Sequence, residues 1–164
     1  MLITPRTDGI IPVRYLIHAL DMRRVRNAVR QYMTGNRHEI YAHEQCDWYV
    51  NTYKPRQAMG EMFGFVYYKQ RRPIGYGLIT WREEYRGERR KFWLSGGIVP
   101  EEQGHGYGRE LFEFLAGFLK SGEVWLDVFS SNEKAVKLYK ALGFEERWRP
   151  GPDIIVMSRK VVAR

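Results

Sequence analysis

The sequence predicts one mixed α/β domain over its 164 residues, an antiparallel meander followed by a βαβ unit and a closing hairpin. Three observations carry that reading. Met62 to Lys69 and Pro73 to Trp81 are rich in aromatic and β-branched residues, and the short polar run Gln70-Arg71-Arg72 joins them as a hairpin. Phe92 to Leu119, FWLSGGIVPEEQGHGYGRELFEFLAGFL, reads as a strand, a glycine-rich turn and an amphipathic helix. Glu123 to Phe129 then alternates, with Val124, Leu126 and Val128 on one face, so a second strand follows that helix. Two strands of one sheet joined by a crossover helix run parallel, so 92–99 and 123–129 are expected to be parallel neighbours.

Before the meander, Val13 to His18 reads as a first strand. Asp21 is placed to cap a helix running to about Met33, with Val25, Ala28, Val29 and Tyr32 on its apolar side, and Thr34-Gly35-Asn36 stops it. A second helix covers His43 to Tyr53, and Pro55 ends it. A charged turn around Gly87 leads into the strand at Phe92, which Pro100 closes by withholding a ladder donor. The helix after the glycines repeats Leu111, Phe114, Leu115, Phe118 and Leu119 on one face. Ser121-Gly122 is a turn. Ser130 and Glu133 have capping-box spacing and open a short helix that Gly143 closes. Phe144 to Trp148 and Asp153 to Val161 form a final hairpin around Pro150-Gly151-Pro152.

Composition narrows the function classes. An apolar share of 44% with 15% aromatics argues for a packed core. A single cysteine, Cys46, rules out an intrachain disulfide, and its helical context reads as a small buried hydrophobe. The opening MLITPRTDGIIP has no signal-peptide core, and no apolar run is long enough to span a membrane, so a cytoplasmic protein without membrane contact is expected. The net charge of +8 suits an anionic partner, and CoA, nucleic acid or an acidic protein all qualify. The basic residues are interleaved with acids, as in WREEYRGERRKFW, so no nucleic-acid stripe stands out. Oligomeric state is not legible, and no metal is called for.

The glycine turn is where chemistry enters. Glycines between a strand and a helix let the backbone approach a ligand, while the free N–H groups and the dipole of the helix start favour an anion, here a phosphate or pyrophosphate. The spacing of Gly104, Gly106 and Gly108 fits neither a dinucleotide fingerprint nor a P-loop. Gln103-Gly104-His105-Gly106-Tyr107-Gly108 instead resembles the acetyl-CoA motif Gln-x-x-Gly-x-Gly of the GCN5-related N-acetyltransferases (GNAT). A second stretch, Asn132 to Phe144, is similar to the C-terminal motif of the same family, Asn-x-x-Ala-x-x-Leu-Tyr-x-x-x-Gly-Phe. Two independent motifs in the right order and in the right elements make the resemblance strong.

What the resemblance implies is the GNAT fold, with acetyl-CoA wedged between two splayed parallel strands. The backbone of Ile98 and Val99 would pair with the pantetheine arm. N–H groups from Gly104 through His105, Gly106, Tyr107 and Gly108 to Arg109 would hold the pyrophosphate, with Gln103 opening the motif and His105 as a phosphate neighbour. Asn132 would contact the pantetheine, and Tyr139 would sit near the sulfur. A tyrosine, with an ordinary pKa near 10, is protonated at neutral pH and can donate to a departing thiolate. Backbone donors near the thioester carbonyl can stabilise an oxyanion, and no covalent enzyme intermediate is required.

The general base is open among Glu39, His43, Glu84, Ser95 and a water chain. The acceptor side is expected to be lined by the two early helices and the 82–91 turn. Arg30-Gln31-Tyr32-Met33, His38-Glu39-Ile40 and Glu44-Gln45 with Trp48-Tyr49 loosely resemble family members that modify amino sugars on nucleotide carriers. The implied activity is transfer of an acetyl group to a primary amine, on a small molecule such as an amino sugar. A macromolecular acceptor (a protein N-terminus or an aminoacyl-tRNA) and a non-enzymatic CoA-binding module are the alternatives.

Overall fold

The structure is a computed structural model that describes residues 5–161, so the first four residues of the amino-terminal stretch lie outside it. Seven strands form one sheet in the order β1-β2-β3-β4-β5-β7-β6. They are β1 (Gly9–Pro12), β2 (Met62–Lys69), β3 (Arg72–Tyr85), β4 (Glu88–Ile98), β5 (Glu123–Phe129), β6 (Glu145–Gly151) and β7 (Ile154–Lys160). The helices are α1 (Leu16–Ala28), α2 (Ala42–Trp48), α3 (Lys54–Ala58), α4 (Tyr107–Phe118) and α5 (Glu133–Ala141). The mixed fold class is therefore as read from the sequence.

β1 to β4 make the antiparallel meander, and its two hairpin turns are built by backbone sterics. Gln70 and Arg71 both have positive φ, as do Arg86 and Gly87, the requirement of a two-residue turn matched to strand twist. The β3–β4 hairpin is longer than its apolar residues suggest. Charged residues from Arg82 onward continue the ladder, pairing Arg82 with Lys91 and Glu84 with Arg89.

β4 and β5 are parallel neighbours, but they pair only at Phe92–Val124 and Trp93–Trp125 and then part. This opening between two strands of one sheet is the feature that positions the site. The faces are divided cleanly. A Cβ on Gly97 would lie 3.0 Å from Val29, just past the end of α1, and one on Gly77 would lie 2.7 Å from Leu115 of α4. Phe112 of α4 and Tyr139 of α5 meet with ring centroids 5.1 Å apart, so α5 shares the α4 face. Gly77 thus lets α4 lie close on the sheet, and Leu111, Leu115 and Ala116 are fully buried there.

The structure corrects several boundaries. Val13 to His18 is not the first strand: the strand is Gly9–Pro12, an edge position that tolerates Pro12, and Leu16 already begins α1. His18 does the capping that a Glu usually does, because its Nδ1 accepts the N–H groups of Arg14 and Tyr15 at 3.1 and 3.3 Å. Asp21 is no cap. It is buried, receives Arg6 at 2.8 and 3.0 Å, and accepts the Tyr68 hydroxyl at 2.6 Å. α1 stops at Ala28, and a 3-10 turn, Arg30–Tyr32, follows it.

Pro55 does not end the second helix. A π-turn, Tyr49–Tyr53, shifts the hydrogen-bond register, so Pro55 falls in the first turn of α3, where its missing N–H costs nothing. At α5 the cap is Asn132, whose Oδ1 accepts the Ala135 N–H at 3.3 Å, while Ser130 donates its hydroxyl to the Pro152 carbonyl. Cys46 is half-buried rather than a core residue. Among the described residues no helix is long and apolar enough to cross a membrane.

Candidate active site

Where β4 leaves β5, two hollows meet. A narrow cleft between the parted strands is lined by Gly96, Phe112, Asn132 and Tyr139, among others. A larger cavity of about 660 Å³ lies on the α1 face, walled by α1, the 33–40 segment, α2, β3 and β4. Met33, Thr34, Leu94, Ser95 and Asp127 line both. A volume of this size suits a small-molecule ligand.

The glycine turn sits at the outer end of the parted strands. Gly104 and Gly106 both have φ of +85°, and a Cβ at either would meet nothing within 4 Å. Gly106 caps α4 without any side-chain hydrogen bond, and the first ladder bond is Glu110 N–H to the Gly106 carbonyl. The N–H groups of Tyr107, Gly108 and Arg109 have no acceptor among the described residues. Arg109 and His105 are exposed beside them, and Lys69 Nζ lies 4.4 Å from the Tyr107 ring centre. The result is an open helix start with free N–H groups, the donor set that an anion needs, and the acid of its first turn, Glu110, is engaged by the Tyr67 hydroxyl at 2.5 Å.

The β4 backbone is partly committed. Val99 N–H bonds the Ile74 carbonyl at 2.8 Å, and Gln103 Nε2 donates to the Ile98 carbonyl at 2.9 Å. With Val99 N–H spent on β3, the antiparallel alternation turns the amide of Ile98 toward the gap. Gln103 therefore braces the strand end and does not reach outward.

Tyr139 is buried between Phe112 and Phe144, with ring centroids at 5.1 and 6.0 Å. Its hydroxyl has no hydrogen-bond partner among the described residues. Burial raises its pKa well above the ordinary tyrosine value, and the neighbouring Tyr76 and the charge of Asp127 add to the rise. It stays protonated throughout the physiological range. Asn132 is half-buried and lines the cleft while capping α5.

Of the candidate bases, Ser95 opens into the cavity, with its Oγ 3.2 Å from the Tyr76 hydroxyl. Glu39 also lines the cavity and lies 3.6 Å from Arg30. His43 and Glu84 do not line it: His43 stacks on Tyr41, and Glu84 faces Arg89 at 3.7 Å in solvent.

Asp127, which the sequence reading passed over, is at the junction. Oδ1 accepts the Thr34 hydroxyl at 2.6 Å, and Oδ2 accepts the Tyr85 hydroxyl at 2.9 Å and Arg86 Nε at 3.1 Å. Arg86 also donates to the Thr34 carbonyl at 3.1 Å, so one carboxylate ties β5 to the post-α1 segment and the β3–β4 hairpin. The signal was present in the alternation: an acid in the interior of β5, on the face opposite Val124, Leu126 and Val128.

A comparison with family models identifies the fold to which the parted parallel strands belong. Residues 22–144 match the model of the acetyltransferase (GNAT) family, three quarters of the chain. The chain belongs to the GNAT acetyltransferase family. The acyl donor of that family is acetyl-CoA. Among sequence relatives, N-alpha-acetyltransferase RimI of Mycobacterium tuberculosis is 41% identical over 49 residues, 30% of this chain and 31% of that protein. The chain spans between a fifth and a third of the length of the two curated relatives it matches.

The fold is shared over more than nine tenths of the chain with solved structures. yncA of Salmonella typhimurium, solved with acetyl-CoA, has a TM-score of 0.75 at 18% identity, covering 96% of each chain. Spermidine N-acetyltransferase of Vibrio cholerae, solved with CoA and spermine, has a TM-score of 0.66 at 21% identity, covering 93% of this chain and 94% of that one.

Proposed function

We propose that the protein transfers an acetyl group from acetyl-CoA to a primary amine on a small molecule held in the 660 Å³ cavity. One observation carries the reading: the cavity and the cleft containing Tyr139 share a wall at Ser95 and Asp127, so an amine in one reaches a group in the other. The residues fit the donor. The free N–H groups from Gly104 to Arg109, with His105 and Tyr107 beside them, are a cradle for its pyrophosphate, which a Cβ at Gly104 or Gly106 would enter. Ile98 and Val99 at the end of β4, braced by Gln103, and Asn132 at the start of α5 would flank its pantetheine arm.

Acetyl-CoA, when bound, supplies an activated acetyl thioester. The chain's own residues supply the rest. Tyr139, protonated and without a competing partner, donates its proton to the departing sulfur. Asp127 draws the acceptor's ammonium to the junction, and with Ser95 it provides the polar path by which the amine loses a proton before attack. Phe112, Phe144 and Leu94 keep the Tyr139 side dry, which strengthens these interactions.

The acceptor wall uses His38, Glu39, Ile40, Glu44, Gln45 and Trp48, the segment that resembles amino-sugar-modifying members, and an amino sugar is the first candidate. A second reading has its own support. A further hollow of about 430 Å³ shares Trp48, Leu78, Thr80 and Arg82 with the cavity and runs on to Arg56 and Glu61, room for a longer acceptor such as a protein N-terminus. A cytoplasmic setting, with acetyl-CoA at hand, belongs to both readings. The test is a screen of free amines, amino sugars and N-terminal peptides with purified protein and acetyl-CoA, following CoA release. Release with small amines supports the first reading, and release with peptides alone replaces it with the second. Acetyl-CoA binding with no release for any acceptor would make the chain a binding module.

A further inference from the structure

The charges in the cavity wall say more about the acceptor than that it is an amine. Three acids and three arginines line the cavity, and their commitments differ. Two of the acids already hold donors, Glu44 accepting the Tyr41 N–H at 2.7 Å and Asp127 accepting three, while Glu39 is exposed to solvent in an ion pair with Arg30 at 3.6 Å. Arg26 is buried and committed to the carbonyls of Asn36 and His38.

Arg23 and Arg82 are underused. A guanidinium offers five N–H donors. Arg23 gives one to the Ile40 carbonyl at 3.0 Å, and its Nε–H is buried with no acceptor. The Arg82 guanidinium makes no hydrogen bond among the described residues. It lies 4.3 Å over the ring of Tyr85, at the rim of the same cavity. The indole N–H of Trp93, also in the wall, is buried without a partner. The buried unpartnered polar atoms of this wall are all donors. A wall short of acceptors is relieved by a ligand that brings them, and a charged oxygen satisfies a guanidinium best.

We propose that the acceptor carries an oxyanion, a carboxylate or a phosphate, on the same small molecule as its reacting amine, and that Arg23 and Arg82 bind it. This rests on reading the cavity as the acceptor site. The amine is then drawn to Asp127 at the junction and the oxyanion to the arginine wall, so one molecule is oriented from both ends. Arginine suits either oxyanion because its planar fork bonds both in pairs.

The experiment uses two matched pairs of probes, phenylalanine against phenethylamine and O-phosphoethanolamine against ethanolamine. Binding is measured by calorimetry on the protein loaded with CoA, which permits no turnover. Acetylation is measured separately with acetyl-CoA. The oxyanion member of at least one pair should bind roughly ten- to a hundred-fold more tightly than its partner, the range for hydrogen bonds to a charged group. The pair that responds tells carboxylate from phosphate. Arg23→Gln and Arg82→Gln should each shrink that preference while CoA affinity stays unchanged. Arg82 is exposed, so its variant keeps the test alive if Arg23→Gln fails to fold. Equal binding within both pairs, no binding of any probe, or a preference untouched by both substitutions overturns the proposal. A preference without acetylation would refute the transferase reading and leave this one standing, and acetylation without a preference would do the reverse.

Discussion

Replacing Tyr139 by phenylalanine removes one oxygen and leaves the ring in place against Phe112 and Phe144. The hydroxyl has no partner among the described residues, so no buried group is orphaned and folding stability should change by less than about 1 kcal/mol. The chemistry should respond far more. A positioned acid contributes about 10²–10⁴-fold, which is roughly 3–5 kcal/mol of barrier. Tyr139→Phe should therefore lower kcat by that factor and leave acetyl-CoA affinity within about two-fold of the parent. The assay is the initial rate of CoA release with an acceptor identified by the screen, paired with a direct titration of acetyl-CoA and a thermal melt. Tyr139→Ala would not serve, because truncating a buried aromatic costs about 3–5 kcal/mol and confounds rate with stability. A Tyr139→Phe rate within a few-fold of the parent would remove the acid role and leave Tyr139 as a core aromatic.

Other outcomes follow from the same geometry. Gly106→Val forces a β-branched residue to φ +85°, at a cost of about 1–2 kcal/mol, and fills the open turn. The fold should survive while titration shows acetyl-CoA affinity falling by roughly ten-fold or more, and unchanged affinity would count against the cradle. Asp127→Asn loses the charge and keeps one acceptor oxygen, which can serve Tyr85 and Arg86 while its amide N–H2 donates to the Thr34 hydroxyl. KM for the amine should rise roughly ten- to a hundred-fold with acetyl-CoA affinity unmoved, and steady-state kinetics with both substrates varied would detect an unaltered KM.

Stability should also depend on alkaline pH. Burial raises the pKa values of Tyr53, Tyr68, Tyr76, Tyr85 and Tyr139 above the ordinary value near 10. The unfolded chain then loses its phenolic protons first. Their contribution is whole below about pH 10 and is lost as pH rises through the folded values. Denaturant unfolding from pH 7 to 11 should show ΔG falling above about pH 10, and a level curve through pH 11 would contradict this.

Local patterns made much of the molecule legible. Met62 to Lys69 and Glu123 to Phe129 are strands with the boundaries read from them, the first from its aromatic and β-branched composition and the second from its alternation. The parallel pairing of β4 and β5 followed from a crossover helix between them. Errors came where a residue did an unusual local job. His18 replaced a carboxylate as a cap, a π-turn absorbed Pro55, and charged residues extended the β3–β4 hairpin beyond its apolar part.

By itself, then, the sequence determined the order of elements, the glycine turn and the spacing that sets Asn132 and Tyr139 on one short helix. Each is a relation among neighbours in the chain, governed by dihedral preference and periodic burial. Only the tertiary structure decided what lines the cavity. Thr34 and Asp127 are 93 residues apart, and Arg86 joins them from a third segment. That meeting depends on how far β4 and β5 part and on where α1 ends, and both come from packing across the whole sheet. No local pattern records such a distance, so Asp127 read as one acid in a strand until the fold brought its donors to it.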